Sequence, residues 1–467
     1  MKPRILWTIC TFILLAGCTP EAPPAATATA AQSGITPSST RTSPVPTPTE
    51  TVEAIETIDL NPEDITGIAI ELWHVWDGDH ETLLEELVSA FNAGNAYNLQ
   101  VTAVRRDDLH GDLARALAEG SPPDLTFGFS YHARSWARIN PPVDWTPYLL
   151  DPDWGFSGEV RADFYPEFLA SANIDGVQAG LPFYRTTEIL LYNRTWAEEL
   201  GFPGPPTTPD ELAAQACAAN ADLRSDPDLG NDGEGGLLLG YEPHALIAWI
   251  TAFGGGAGTL PDEGAYAFDR AENTAAFEYL RGLLDDLCAW LPEGVYPHTE
   301  FAERRGLFLP STLAGLAAQE EAMLAAGSTD EWGSIPYPAA APGQPSLFYG
   351  PDLILLPTSP QRQLAAWIFA GWLLEPENLA RWSDTTGYFP VRRSALDLMA
   401  DPPAEIETWI PAGAMFAPPA SWVDVQWAVG EMSRMLFSPF TPAGDVMGLD
   451  VELDAFAEEL HQLNRVP

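Results

Sequence analysis

Lysine is all but missing from this chain. Lys2 is the only one, and 22 basic residues face 66 acidic ones, a formal charge of −44. A field of that sign repels nucleic acid and polyanionic partners, although one or two arginines can still hold a small anion locally. Cysteine is scarce as well, four in 467 residues, with no CxxC and no Cys/His spacing that fits structural zinc. Cys217 and Cys288 could pair in an exported protein, but two thiols so far apart do not make a disulfide framework. There is no GxxxxGK[ST], so ATP hydrolysis on a P-loop is not this chain's work. "GFSYH" (128–132) opens like a nucleophile elbow but lacks the last glycine of G-x-S-x-G. Beyond the first eighteen residues nothing approaches twenty consecutive apolar positions, so no second segment spans a bilayer as a helix.

What is there begins with an export signal. "MKPRILWTICTFILLAGC" has a short basic start, an apolar run from Ile5 to Ala16 and then small residues, the order of a secretory signal over residues 1–17. "LAGC" (15–18) resembles the lipobox of bacterial lipoproteins, which implies that Cys18 becomes a lipid-bearing N-terminus. Acyl chains on one residue hold a protein at a membrane without spanning it. Residues 18–64, rich in Pro, Thr, Ala and Ser, have no apolar period and read as a disordered tether. Extended, about forty such residues reach on the order of 100 Å. The remaining 400 or so residues are enough for two or three ordinary domains.

The globular part opens with alternating strand and helix signals. "GIAIELWHV" (67–75) has strand alternation, and Leu83, Leu84, Leu87, Val88 and Phe91 mark one face of a helix. "LQVTAV" (99–104), "DLHGDLARALAEG" (108–120) and "DLTFGF" (124–129) continue as strand, helix and strand, the pattern of a parallel α/β sheet. Ligands of such sheets sit at the carboxyl ends of the strands, where the loop "HVWDGD" lies. Residues 181–202 read as a strand leading into a helix, and Thr208 with Glu211 has capping-box spacing. "DPDLGNDGEGG" (226–236) has the residues of a calcium loop, but Gly230 and Leu239 stand at two ligand positions, so it reads as a solvated turn. Residues 361–382 read as one buried helix, apolar nearly all round.

Several blocks in one order resemble the family 1 extracellular solute-binding proteins of ABC importers, which include sugar binders. They are "GSPPDLTFG" (120–128), "DGVQAGLPFYRTTEILLYNRTWAEELGFPGPPTTPDEL" (175–212) and "AWIFAGWLLEPENLARWSDTTGYFPVRRSAL" (366–396). The resemblance implies an α/β, two-lobed periplasmic-binding-protein-like fold of type II, with the ligand cleft between lobes joined by hinge crossings. Lobe one would be 65–183 plus 339–386, lobe two 186–334 plus 390–467, with crossings near 183–186, 335–338 and 387–390. It also implies a carbohydrate ligand, permease subunits in the membrane as partners, a monomer, no cofactor and no bond chemistry. A binder of glycerol phosphates in the same family is the alternative, for which Arg105, Arg106, Arg185 and Arg392 are the candidate anion holders.

A neutral sugar needs flat apolar faces for its C–H surface and fixed polar groups for its hydroxyls. Loop and crossing positions supply such sets: His74, Trp76 and Asp77, then Asp108, Ser130 and Tyr131, then Tyr184, Arg185 and Glu188. Trp249 with Gly254, Tyr349, Tyr388 and Arg392 complete the expected ligand-binding residues. Strand alternation turns Trp73 away from His74 and toward helix packing; Trp367, Trp372 and Trp382 read as core. His74, Asp77, Asp79 and His80 could together ligate a metal, but the two aspartates precede a helix, where acidic residues suit its dipole. The Trp-plus-carboxylate content could also belong to a secreted glycoside hydrolase, which needs two carboxyls flanking one bond. The stretch 71–87 is best read as a first ligand loop.

Overall fold

The computed structural model describes residues 57–255, 271–294, 297–341 and 346–416, with single positions or short runs between 418 and 438. The expected signal 1–17, Cys18, tether residues 18–56 and the end of the chain lie outside the described residues. Everything below concerns the second of two units, Ile55–Pro467.

The strand and helix alternation at the start of the fold gives one sheet of five strands, in the order Gln100–Arg105, Ala69–His74, Leu125–Gly128, Asp352–Leu355 and Leu181–Pro182. The first three run parallel, with Leu72 opposite both Ala103 and Leu125; Asp352–Leu355 runs antiparallel and closes on Gly128–Leu125. The helix Leu109–Glu119 ends where Gly120 takes a left-handed φ of 73°, as its glycine invites. Thr208 accepts from Glu211 N and Glu211 returns the bond to Thr208 N, each at 3.3 Å, so the capping box forms.

A second sheet is organised by one ten-residue strand, Tyr184–Asn193, buried along its whole length. It is a hub: Phe308–Thr312, Trp332–Ile335, Leu347–Tyr349 and Phe389–Pro390 all pair with it antiparallel. Leu237–Leu238 and Ala289–Trp290 extend the sheet beyond Phe308–Thr312. The Cys217–Cys288 disulfide ties the helix Pro209–Leu223 to the residue preceding Ala289, closing a loop of sequence separation 71. By loop entropy such a closure stabilises by roughly 4 kcal/mol.

Two sequence expectations change. Residues 361–382 form two helices, Pro360–Leu373 and Pro376–Thr386. Pro376 has no N–H to continue the first helix, and its ring obstructs the preceding turn. The folded part also begins before residue 65. Ile58 N donates to Asp151 Oδ2 at 2.8 Å, and Trp154 Nε1 donates to the Leu60 carbonyl at 3.2 Å. Polar backbone that reads as tether in sequence is held by side chains about ninety positions away. Within "DPDLGNDGEGG", Asp226 and Asp228 accept from backbone N–H two residues on, and Glu234 pairs with both Arg305 Nε and Nη2 at 2.6 Å. No helix among the described residues is long and apolar enough to cross a membrane.

Candidate functional site

Alternation along the hub strand puts Tyr184, Thr186 and Glu188 on one face. All three line a cavity of about 500 Å³, a volume within the ordinary range of small-molecule sites. Strand register supplies the neighbours. Thr186 lies opposite Tyr349, Glu188 opposite Thr312, and Pro390 opposite Tyr184, which brings Tyr388 alongside. The helix Pro243–Ala252 presents its N-terminal residues Glu242 and His244 to the same space. Two glycines make this convergence possible. Gly350 lies against the Tyr184 carbonyl, where a Cβ would come within 2.2 Å of the oxygen, and Gly387 takes a φ of 74° to turn the chain into Tyr388.

Two ring pairs line the walls. Tyr184 stacks on Tyr388 with centroids 4.0 Å apart, and His244 on Tyr349 at 4.4 Å. The Tyr349 hydroxyl donates to Glu188 Oε1 at 2.6 Å. Burial pushes the Glu188 carboxyl up to about 7, against the pull of the Tyr349 hydrogen bond and with a further push from the charge of Glu242. Burial pushes His244 down to about 4, so its imidazole is neutral at pH 7, one nitrogen a donor and the other an acceptor. Tyr184 and Tyr349 are held far above the ordinary phenol range, by burial first, and remain donors. Thr186 Oγ1 and His244 Nε2 are buried and have no hydrogen-bond partner among the described residues. Such atoms are costly unless a ligand or water satisfies them. Glu188 and Glu242 line the cavity; no arginine or lysine does.

The matching family model is described as bacterial extracellular solute-binding protein and covers residues 86–411. The chain belongs to that family. Among curated proteins it is similar to a Brucella abortus (strain 2308) chain named as a binding protein, 22% identical over 320 residues, 66% of this chain and 72% of that one. Among solved structures, the sugar-binding protein MalE from Xanthomonas citri superposes with a TM-score of 0.68 at 18% identity, over 85% of this chain and all of that one. The cyclic alpha-maltosyl-1,6-maltose binding protein from Arthrobacter globiformis gives 0.66 at 20% identity, covering 86% and 100%. UgpB from Mycobacterium tuberculosis, solved with glycerophosphocholine, gives 0.66 at 19% identity, covering 84% and 98%. These likenesses establish the fold: mixed α/β, in the two-lobed arrangement of periplasmic sugar-binding proteins.

In this solute-binding fold the expected site residues scatter. Tyr184, Glu188, Tyr349 and Tyr388 converge on the cavity. Ser130 and Arg185 line a much smaller adjoining cleft with Tyr349. Trp76 lies in a ring cluster with Phe127 at 4.4 Å and Trp382 at 4.7 Å, and reaches Tyr184 at 6.3 Å. His74 is buried beside it, ring centroids 6.0 Å apart, its Nδ1 without a partner in the protein.

The others are placed elsewhere. Asp77 is exposed and pairs with Arg105 at 3.5 Å. Asp108 accepts from Gly111 N and caps the helix Leu109–Glu119. Tyr131 stacks on Phe129 and packs against Phe416. Trp249 is buried in the core of the second sheet, against Tyr337 and Tyr279. Gly254 ends the helix Pro243–Ala252 with a φ of 87°, a turn role. Arg392 donates to Asp163 Oδ2 at 2.7 Å and to the Leu374 carbonyl at 2.9 Å, which makes it a strut. Arg185 is likewise spent, on Asp352 at 2.6 Å and on the carbonyls of Tyr184 and Pro351. Trp73 packs with Leu109 and Leu113 under Arg106, whose guanidinium sits 4.1 Å from the ring centroid.

Sequence reasoning missed Thr186, Glu242, His244 and Thr312. A period-two signal was available for Thr186, midway between Tyr184 and Glu188. Glu242 and His244 stand in "LLLGYEPHAL", a strand end followed by a helix start, the same arrangement that made "HVWDGD" conspicuous.

Proposed function

We propose that this chain is the substrate-binding component of an ABC importer that captures a carbohydrate, mono- or oligosaccharide, outside the cytoplasmic membrane. One observation carries the ligand class: a cavity of about 500 Å³ walled by phenol and imidazole ring pairs, with buried Thr186 Oγ1 and His244 Nε2 lacking partners among the described residues and no arginine or lysine in the lining. Rings accept the C–H faces of a sugar, while the hydroxyl, imidazole and carboxyl groups take its hydroxyls. Several structural relatives are sugar-binding proteins, which supports the same class.

The glycerol-phosphate reading weakens on the arginines. Arg185 and Arg392 are committed to buried or half-buried aspartates, and Arg105 and Arg106 to surface acids and Trp73. In this reading the ligand bridges lobe one (65–183 plus 339–386) and lobe two (186–334 plus 390–467). Closure follows from the ligand's higher affinity for the closed state. The chain is a monomer anchored through lipid on Cys18, delivers its cargo to permease subunits, and breaks no bond.

The test is a thermal-shift and calorimetric screen of the full-length chain against neutral sugars, polyols and glycerol 3-phosphate. A ligand at a hundred times its dissociation constant adds about 2.7 kcal/mol to stability. A shift with a neutral sugar recovered unaltered supports the proposal. A shift with glycerol 3-phosphate alone, or recovery of a cleaved sugar, overturns it.

A further inference from the structure

Among the described residues, buried carboxylates are consistently matched, with one exception. Asp124 pairs with Arg362, and Asp352 with Arg185 at 2.6 Å. Asp151 accepts three backbone N–H groups, from Ile58, Asp153 and Trp154, at 2.8 to 2.9 Å. Glu188 is 5% exposed, yet among the described residues the one hydrogen bond to its carboxyl is from the Tyr349 hydroxyl. A charge taken out of water needs a partner of opposite sign or a full set of donors, and one phenol supplies neither. The unmatched carboxyl faces the cavity, not the core.

The lining around Glu188 holds no arginine or lysine, and its second histidine, His298, faces Gln319 Oε1 through Nδ1 at 3.0 Å. Across the strand pair stands Thr312; from Leu347–Tyr349 comes Tyr349 itself; from the start of the helix Pro243–Ala252 come Glu242 and His244; and Tyr337 is held well above the ordinary phenol range by burial first and then by the charge of the glutamate. Burial keeps His244 neutral at pH 7, so it does not serve as the missing charge. Glu242 adds a second negative group to the lining. Around both carboxyls stand the stacked rings Tyr184–Tyr388 and His244–Tyr349. Aromatic rings attract cations through their quadrupoles, most strongly where water is excluded. Carboxyl, ring walls and a lining without arginine or lysine describe one complementary group.

We infer that the ligand is an amino sugar or an amine-bearing oligosaccharide, its ammonium seated against Glu188 within the ring pairs Tyr184–Tyr388 and His244–Tyr349. This rests on the carbohydrate reading and narrows it. The ammonium supplies the counter-charge that Glu188 lacks, while the sugar's hydroxyls satisfy Thr186 Oγ1 and His244 Nε2.

The experiment is calorimetric titration of the full-length chain at pH 7 with two matched sets. One set is glucosamine, N-acetylglucosamine and glucose; the other is the β-1,4-linked glucosamine disaccharide, its di-N-acetyl derivative and cellobiose. The expected result is that a free amine binds at least about tenfold tighter than its acetylated and neutral counterparts. Glu188→Gln, near-isosteric and checked for folding by its melting curve, is expected to abolish that preference, the free amine losing at least about tenfold more affinity than its neutral and acetylated counterparts. Glu242→Gln, at an exposed position, reduces the preference by a smaller factor. Neutral or acetylated sugars binding as tightly as amines overturns the inference and leaves the carbohydrate reading standing. Glycerol 3-phosphate binding in place of every sugar overturns both.

Discussion

Arg185 and Glu188 lie three residues apart on one buried strand and are treated in opposite ways. Around Arg185 the protein is closed: its guanidinium donates to Asp352, Ser171 and the carbonyls of Tyr184 and Pro351. Around Glu188 it is open: one phenol donates, a second carboxylate stands in the same lining, and the rest of the surroundings is cavity. Both residues are charged types buried to a similar degree, at 2% and 5% exposure. Burial therefore does not separate scaffold from site here; completeness of the partner set does. A matched ion pair holds strands together, whereas an unmatched carboxyl carries a cost that a ligand or a proton can remove.

The contrast is broken most severely at the closed end. Asp352→Asn leaves Arg185 charged and buried without its counter-ion and is expected to cost about 3–5 kcal/mol of folding stability, read by chemical denaturation. At the open end the sign reverses. Because burial raises the Glu188 carboxyl to about 7, the folded state holds its proton more tightly than the unfolded chain does. Stability from this group is complete below about 4.5 and is lost as pH rises to about 7. Glu188→Gln removes that loss. Relative to wild type the variant should gain up to about 3 kcal/mol between these pH values. His244 and His132, lowered to about 4 and about 3 by burial, slope the other way in both proteins and cancel in the difference. A flat difference between the two proteins would mean that Glu188 has a partner after all.

Smaller effects sharpen the same division. Thr186→Val removes a buried hydroxyl that has no partner in the protein, so stability should hold or rise slightly. Affinity for a bound sugar should fall by about 1 kcal/mol, roughly fivefold in Kd by calorimetry. Smallest is Arg105→Ala. Its pairs with Asp77 and Asp107 are exposed, so no more than about 1 kcal/mol of stability and no measurable affinity should be lost.

Local physics was legible in the sequence, and long-range pairing was not. The strand and helix alternation from Gly67 to Phe129, the stop at Gly120 and the cap at Thr208 follow from period, glycine and capping chemistry, all written within a few residues. Tyr184, Glu188 and Tyr388 were accessible because they stand in recognisable blocks. Arg185 and Arg392 were misread as ligand holders because what decides their role lies far along the chain. Asp352 is 167 positions from Arg185, and Asp163 is 229 from Arg392. Nothing local distinguishes an arginine that waits for an anion from one already spent. The Trp-rich stretch 71–87 draws the eye for residue type, yet Trp73 packs on a helix and Trp76 joins a ring cluster. His244, which lines the cavity, is one of seven histidines and has no conspicuous neighbours.

The proposed carbohydrate site is the cavity between Glu188, His244 and Tyr388. It is tested by sugar binding to the full-length wild-type chain and to His244→Ala and Tyr388→Ala, by calorimetry, with the bound sugar recovered and analysed. Saturable binding to the wild type is expected, with at least about a tenfold loss in each variant at unchanged folding and a sugar returned intact. Undiminished affinity in both variants would place the ligand elsewhere.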